Sequence, residues 1–329
     1  MQEGKLPEEV LVRSVLGQIK HRRQEVLYGP GVGADCAALQ TDPDETLLFS
    51  TDPITGTAHG IGGHSIHITA NDLAAAGAEP VAVLLTLLLP EGIEEADVAE
   101  MLADAERVCA DLNMEILGGH TEITSVVNRP VITATGIGKC RKDSLLMPGN
   151  VHPGQDIIVT KWIGLEGSAI LAADRESMLS ERVSKETLET AKGFLKYLSV
   201  VPEARIAVKN GAVLMHDITE GGILGALWEV AEFGNTGIRI VKSDIPLREE
   251  TRRICAAVDA DPYRIMSSGS MLIIAENGTN LVEELERAGI CASIIGKTIQ
   301  KKDRILVDGN EESELQSPEA DHLYVALKH

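Results

Sequence analysis

The chain has 329 residues, of which 44% are hydrophobic, and its formal net charge is -20. This length exceeds one ordinary core and predicts two globular domains. The negative net charge argues against the basic surface of a nucleic-acid-binding protein, and aromatic residues, which stack on bases, make up only 3% of the sequence. We expect no nucleic-acid partner, and we expect metal ions wherever so acidic a protein binds phosphate.

The cysteines and the apolar runs favour a cytoplasmic location. The five cysteines are scattered and form no C-x-x-C pair, which fits a reducing compartment. The longest apolar run, 81–89, is shorter than the roughly 20 residues that cross a bilayer. The N-terminus is charged from Glu3 onward and shows no signal-peptide pattern. We expect a cytoplasmic protein with no membrane contact.

The first predicted element is an amphipathic helix from Pro7 to Ile19, with apolar residues at three- and four-residue steps. It ends in a basic cluster, residues 20–23, at the helix C-terminus, where cations are favoured. A solvated cap fits this cluster better than a phosphate site.

Residues 29–39, GPGVGADCAAL, form a glycine-rich stretch with one carboxylate, Asp35. Gly31 and Gly33 let the backbone approach a ligand, and such loops often turn their amides toward phosphate. The spacing also fits the dinucleotide motif G-x-G-x-x-A, but that motif requires a helix directly afterwards, and residues 40–45 have turn composition. The stretch is interpreted as a phosphate-binding loop, with Asp35 placed to meet a divalent cation. A plain tight turn gives the same pattern.

Further carboxylates follow or interrupt apolar elements of the first half. Asp52 ends a predicted strand, and strand-end carboxylates commonly face a site. Asn71 and Asp72 lie inside a predicted helix, 62–77, where a polar pair is either hydrogen-bonded in the core or binds a ligand. If Asp35, Asp52 and Asp72 converge, their hard oxygen ligands favour magnesium over zinc. Separate strand-end and helix-capping aspartates are the alternative.

Alternating strands and helices predict an α/β fold in both halves. Two Pro-Gly turns around 147–154 predict the domain boundary, with an N-terminal domain at 1–148 and a C-terminal domain at 149–329. In the first half, 118–121 (Gly-Gly-His-Thr) predicts a polar turn after a strand, and His120 fits a substrate-binding, acid/base or turn-stabilising role equally well.

The second half has one comparable turn and an acidic tail. The strand 212–217 breaks into the glycine turn 219–222, where Asp217 and Glu220 fit either a substrate or metal site or helix capping. Residues 311–319 are acidic and are predicted to be mobile.

Five motifs in this order resemble the aminoimidazole ribonucleotide synthetase superfamily, which includes thiamine-monophosphate kinase, selenophosphate synthetase and a hydrogenase maturation protein that dehydrates a carbamoyl group. The motifs are 33–39 (GADCAAL), 50–52 (STD), 71–80 (NDLAAAGAEP), 118–121 (GGHT) and 216–222 (HDITEGG). The resemblance implies a two-domain α/β (α+β) fold and a homodimer whose N-terminal domains form a shared β-barrel. It also implies that ATP and Mg²⁺ are held at that interface.

The resemblance assigns roles to residues of this chain. The implied metal ligands are the three aspartates of the first half: Asp35, Asp52 and Asp72. The implied cofactor-binding residues surround them in the motifs: Gly31, Gly33, Asp35, Asp52, Asn71, Asp72, Gly118, Gly119 and Thr121. The candidate catalytic residues are polar groups of three motifs: Asp72, His120 and Asp217. The implied chemistry is phosphate transfer from ATP that activates an oxygen or similar nucleophile of a small or protein-borne substrate.

Departures from the motifs bear on which member this chain resembles most. Ala34 and His120 stand where thiamine-monophosphate kinase usually has aspartates, and the hydrogenase protein ends in an acceptor cysteine where this sequence reads LYVALKH, 323–329. The second half, for example 245–250 (IPLREE), is most similar to the hydrogenase maturation protein, and the opening helix is more similar to the kinase. We expect an enzyme of the hydrogenase-maturation type, with a possible maturation partner protein. A thiamine-monophosphate-type kinase and a non-catalytic nucleotide-binding module are the alternatives.

Overall fold

The computed structural model describes residues 4–5, 8–30, 37–55, 60–318 and 320–327. Their contacts divide them into two units, the first within 1–74 and 78–145 and the second within 146–329 together with 75–77. Each unit contains a large β-sheet and helices, which confirms the predicted α/β fold. In the described part of the chain, no helix combines the length and the apolar composition needed to span a membrane.

The first unit is built on a five-stranded sheet. The strands of the whole unit, in chain order, are β1 Gly4–Lys5, β2 Val26–Tyr28, β3 Ala38–Leu39, β4 Glu45–Ile54, β5 Glu79–Leu89, β6 Glu115–Ile123 and β7 Val131–Arg141. Its helices are α1 Glu8–Val10, which continues as the π-helix Leu11–Leu16, then α2 Ile61–Ala75 and α3 Glu95–Leu112. The sheet order is β1-β6-β5-β7-β4, in which β5 and β6 are parallel and the other pairs antiparallel. β2 and β3 form a separate antiparallel hairpin, and the glycine-rich stretch lies between them in the chain.

One face of this sheet is packed, and the other is open except where Val26 and Leu39 of the β2–β3 hairpin pack against a buried cluster that includes Ile137. On β5, Val83 and Leu85 are at most 3% exposed, whereas Leu84 between them is 37% exposed. The packed face lies against α2, because a Cβ atom at Gly136 of β7 would stand 2.4 Å from Thr69 Cγ2 of that helix. Side chains that alternate with the packed ones therefore form the open face of this unit.

The second unit has a seven-stranded sheet. Its strands are β8 Asp156–Thr160, β9 Ala212–Asp217, β10 Gly237–Val241, β11 Met271–Ala275, β12 Ala292–Ile299, β13 Arg304–Asp308 and β14 Glu311–Glu314. Its helices are α4 Leu165–Asp174, α5 Glu176–Leu179, α6 Lys185–Lys192, α7 Val201–Lys209, α8 Gly222–Phe233, α9 Glu249–Ala257, α10 Gly278–Arg287 and α11 His322–Ala326. The sheet order is β14-β13-β10-β12-β8-β11-β9, and only β10 and β13 are parallel.

The core of the second unit forms two clusters. Helix α8 packs with the strands in one cluster, and α4, α6, α9 and α11 form the other. The predicted strand 212–217, glycine turn and following helix are confirmed as β9 and α8. Gly221 and Gly222 in this turn both have positive φ, +84° and +63°, which favours glycine at both positions.

Two local predictions are wrong. The predicted turn at 118–121 is the middle of the continuous strand β6, and these residues pair with 84–87 of β5. A Cβ atom at Gly119 would stand 1.7 Å from the Leu85 carbonyl oxygen, so glycine is needed there for close approach of two strands rather than for a turn. The acidic tail predicted to be mobile forms β14 at 311–314, which pairs with β13.

Candidate functional site

The structure brings two of the predicted metal-binding aspartates together. Asp52 lies on β4 and Asp72 on α2, and both side chains are half-buried. The Ser50 hydroxyl donates a hydrogen bond to Asp72 Oδ2 and lies 3.3 Å from Asp52 Oδ2. One hydroxyl therefore connects two carboxylates that lie 20 positions apart in the chain, and all three groups offer the hard oxygen ligands that Mg²⁺ prefers.

Strand geometry explains this arrangement. Residues two apart on a strand point to the same face, so Ser50 and Asp52 both point toward α2. Thr51 points the other way, where its hydroxyl lies 2.8 Å from that of Thr135. The sequence placed Ser50 in a motif but did not identify it as a site residue, although its spacing of two from Asp52 was the available signal. Asn71, beside Asp72, is fully buried.

The remaining members of the predicted metal and phosphate site cannot be placed. Asp35, Gly31 and Gly33 lie outside the described residues. Among the residues that the structure does describe, no group of three His, Cys, Asp or Glu side chains is arranged to hold a metal ion. The three-aspartate site therefore stays a prediction, and of its three members the structure describes only Asp52 and Asp72.

A cavity of about 470 Å³ lies beside β6. Gly118, Gly119, His120 and Thr121 line it, together with apolar side chains of the opening helix and the sheet. Pro30 and Ala37, which flank the undescribed part of the glycine-rich stretch, also line this cavity. Its volume lies in the range of about 300–1,000 Å³ that is usual for small-molecule sites. The predicted cofactor-binding residues of β6 thus share one apolar cavity.

The cavity and the aspartate pair are separated within one unit. Across adjacent strands, Asp52 of β4 pairs with Ala134 of β7, Ala134 pairs with Leu85 of β5, and Leu85 pairs with Gly119 of β6. Strands lie about 4.8 Å apart, so the Cα atoms of Asp52 and Gly119 are about 14 Å apart. Ala134 and Leu85 are 0% and 3% exposed, so packed side chains fill this face between them. A single chain holds the two parts of the candidate site on different strands.

His120 does not lie beside Asp72. It alternates with Gly119 on β6 and so points to the open face of the sheet, whereas Asp72 belongs to the helix on the packed face. The His120 side chain is 42% exposed, and its Nε2 lies 3.0 Å from Glu122 Oε2. The structure therefore separates two residues that the sequence grouped as catalytic.

Asp217 belongs to the second unit, at the end of β9. Its side chain is 5% exposed, and its Oδ2 atom has no hydrogen-bond partner within the described residues. His216 Nδ1 lies 3.7 Å from Asp217 Oδ1, and His216 Nε2 lies 3.1 Å from Glu229 Oε2. Burial lowers the pKa of His216, but the adjacent carboxylates of Asp217 and Glu229 outweigh it and raise the pKa to about 9. His216 is therefore positively charged at neutral pH, between two carboxylates.

The glycine turn after Asp217 already has an anionic partner. The Gly221 amide donates a hydrogen bond of 2.7 Å to Asp321 Oδ2, and the Asp321 side chain is fully buried. Burial raises the pKa of Asp321, and the hydrogen bonds from the amides of Leu323 and Gly221 oppose this shift. Asp321 therefore stabilises the start of α8. The expected alternative, that Asp217 or Glu220 caps this helix, is not supported, because the N-cap residue of α8 is Gly221, which makes no side-chain hydrogen bond.

Comparison with known proteins gives the class of this chain. The profile for the AIR synthase related protein N-terminal domain matches residues 33–140, and the profile for the C-terminal domain matches 152–309. The chain therefore belongs to the AIR synthase related family, as the motif resemblance predicted.

Individual relatives include hydrogenase maturation proteins and a thiamine-monophosphate kinase. A protein of Methanocaldococcus jannaschii named for hydrogenase expression and formation is 30% identical over 274 residues, covering 80% of this chain and 79% of its own. Carbamoyl dehydratase HypE of Azotobacter vinelandii is 26% identical over 314 residues, covering 92% and 86%. Thiamine-monophosphate kinase of Methanospirillum hungatei is 29% identical over 280 residues, covering 84% and 86%.

Solved structures show the same fold. The hydrogenase maturation protein HypE in complex with ATP matches with a TM-score of 0.80 at 19% identity, covering 96% of each chain. HypE in a complex with HypF matches with a TM-score of 0.71 at 18% identity, covering 83% of this chain and 90% of that one. At these identities the structural matches establish the two-unit fold of this chain.

Proposed function

We propose that this protein uses ATP and Mg²⁺ to phosphorylate, and so activate, an oxygen or similar nucleophile of a small or protein-borne substrate. The observation that supports this most directly is the Ser50 hydroxyl connecting the Asp52 and Asp72 carboxylates. Two half-buried carboxylates repel one another, and a divalent cation relieves that repulsion. Relatives named carbamoyl dehydratase and a fold match that contains ATP add support for the nucleotide.

The residues have separable tasks in this proposal. Asp52 and Asp72 would hold Mg²⁺, and the Ser50 hydrogen bond keeps the Asp72 carboxylate aimed toward Asp52. When bound, Mg²⁺ would neutralise charge on the γ-phosphoryl group of ATP, which is transferred to the substrate oxygen with ADP as the leaving group. The cavity beside β6 would take the apolar part of the nucleotide, because it is lined by aliphatic side chains and by the backbone of Gly118 and Gly119.

A homodimer and a protein partner complete the proposal. The open sheet face of the first unit exposes Phe49 at 66% and Leu84 at 37%, which are large apolar side chains to leave in water. We place a second copy of the chain on this face, as the family resemblance implies. The fold match to a HypE–HypF complex supports a maturation partner protein.

Thiamine-monophosphate kinase chemistry is the second candidate. The 29% identical kinase relative favours it, and it needs the same ATP and Mg²⁺ site. The two candidates differ in the phosphate acceptor, so addition of thiamine monophosphate would accelerate ADP release only if the kinase candidate is correct.

The test is Mg²⁺-dependent ATP hydrolysis by wild type, Asp52→Asn and Asp111→Asn. Asp111 is a matched control because it is an aspartate of the same unit whose side chain is 70% exposed. Wild type and Asp111→Asn should hydrolyse ATP at the same rate. Asp52→Asn should lose about 100-fold or more, the usual scale for removing one electrostatic contact to a transferring group. Equal rates in wild type and Asp52→Asn would contradict the proposed role of the aspartate pair.

A further inference from the structure

The hairpin formed by β2 and β3 is held at its base by ion pairs that the sequence did not predict. The basic cluster after the opening helix was expected to be a solvated cap, and this is wrong for Arg23, whose side chain is 6% exposed. Arg23 Nη2 lies 2.5 Å from Glu25 Oε1, and Nη1 lies 3.0 Å from Glu79 Oε1 and 2.8 Å from the Asn113 carbonyl oxygen. Its guanidinium is thus shared by the hairpin, β5 and the end of α3.

A second cation repeats this arrangement on the other side of Glu25. Lys139 Nζ of β7 lies 2.9 Å from Glu25 Oε1 and 3.0 Å from Glu45 Oε1 of β4. The hydrogen bond from Arg23, helped by that from Lys139 and opposed by burial, lowers the pKa of Glu25 to about 2. Glu25 therefore stays ionised throughout the physiological range and accepts from both cations.

A third carboxylate touches the chain on both sides of β2. Glu115 of β6 is 1% exposed, and its Oε2 accepts a 2.6 Å hydrogen bond from the Arg23 amide. Its Oε1 would stand 3.4 Å from a Cβ atom at Gly29. Glu115 thus lies against the residue that precedes β2 by three positions and against the residue that follows it.

These groups form one structure, which we call the hairpin anchor. It consists of two cations and four carboxylates: Arg23, Lys139, Glu25, Glu45, Glu79 and Glu115. The strands β4, β7, β5 and β6 each contribute one of these side chains, so the hairpin base is fixed against four adjacent strands of the sheet. Partly buried ion pairs contribute little net stability but can specify one geometry among alternatives.

The anchor lies at the root of the segment that carries the glycine-rich stretch. β2 ends at Tyr28, and Pro30 then lines the cavity beside β6; Ala37 lines the same cavity just before β3 begins. Resting on the function proposed above, we propose that Arg23 and Lys139 are positioning residues that set the hairpin against the nucleotide cavity, which is lined by Pro30, Ala37 and Leu39. Their contribution is to affinity for ATP rather than to the phosphate-transfer step.

The test compares the KM for ATP and kcat in wild type, Lys139→Met, Lys139→Arg and Arg141→Met, with the melting temperature of each. Arg141 is a matched control on the same strand, because its side chain is 66% exposed and pairs with the exposed Asp143. Lys139→Met should raise the KM for ATP about tenfold and change kcat less than twofold. Lys139→Arg keeps a cation between Glu25 and Glu45 and should restore the KM to within about twofold of wild type, and Arg141→Met should match wild type.

Glu25→Gln is a second test of the anchor in case Lys139→Met does not fold, because it removes the charge and keeps the side-chain shape. It should raise the KM for ATP about threefold. An unchanged KM in folded Lys139→Met, or in Glu25→Gln, would overturn the inference. A rise in KM that Lys139→Arg fails to reverse would do so as well, because it would reflect packing rather than charge. If wild type itself neither binds nor hydrolyses ATP, the proposed function fails, and that result is separate from any difference among the anchor variants.

Discussion

Replacing Asp52 with asparagine should abolish the stabilisation of this protein by Mg²⁺. Asp52 and Asp72 share the Ser50 hydroxyl as a neighbour, which keeps their nearest oxygens within about 6 Å. Two unit charges at that distance repel by about 0.7 kcal/mol in water and about 3 kcal/mol at an effective dielectric constant near 20. Because both side chains are half-buried, we expect the lower part of this range, about 1 kcal/mol.

Without Mg²⁺, Asp52→Asn should therefore unfold at a higher urea concentration than wild type, by about 1 kcal/mol. With Mg²⁺ at a hundred times its dissociation constant, wild type gains about 2.7 kcal/mol and the variant does not, so the order of stability inverts. The assay is urea unfolding in EDTA and in a Mg²⁺ series, with Asp111→Asn as the control that should follow wild type. If Asp52→Asn is less stable than wild type in both buffers, or gains as much from Mg²⁺, the reasoning about a repulsive cation-binding pair is refuted.

Two further predictions concern the first unit. By light scattering at micromolar concentration, wild type should be a dimer and Phe49→Asp should be a monomer. Phe233→Asp, a control at a similarly exposed site of the second unit, should remain a dimer. A monomeric wild type would contradict an interface on the open face. Burial, with the nearby charges of His64 and Arg107, lowers the pKa of His67 to about 4. The folded protein therefore favours neutral His67. This contribution to the free energy of unfolding is present above pH 6.5 and is lost as the pH falls from 6.5 toward 4. Between pH 7 and pH 4, wild type should lose up to about 3 kcal/mol more than His67→Gln in urea unfolding, and parallel losses would rule out this shift.

The elements that the sequence predicted correctly are those whose signal is local. The helix predicted at 62–77 is α2, Ile61–Ala75, and the strand predicted at 212–217 is β9, Ala212–Asp217. Each of these patterns is complete within one element, so no knowledge of its neighbours is needed to read it.

The failures have a long-range cause. Gly118 and Gly119 are typical of a turn when read locally, but the structure needs Gly119 because the Leu85 carbonyl of the neighbouring strand leaves no room for a Cβ atom. Arg23 is typical of a solvated helix end, but it is buried by Glu79 and Asn113, which lie 56 and 90 positions away. Tertiary pairing, absent from any local window, decided both cases.

The same division between local and long-range information applies to the candidate site. The motifs predict Asp52, Asp72 and His120 as site residues, yet a motif gives no information about which of its residues act together. The structure supplies that information. Ser50 connects Asp52 to Asp72 on the packed face. His120 lies on the opposite face, next to Gly119, whose Cα atom is about 14 Å from that of Asp52. Since the groups of one catalytic site must lie within hydrogen-bonding reach of the reacting atoms, the aspartate pair and His120 of one subunit do not form a single catalytic group.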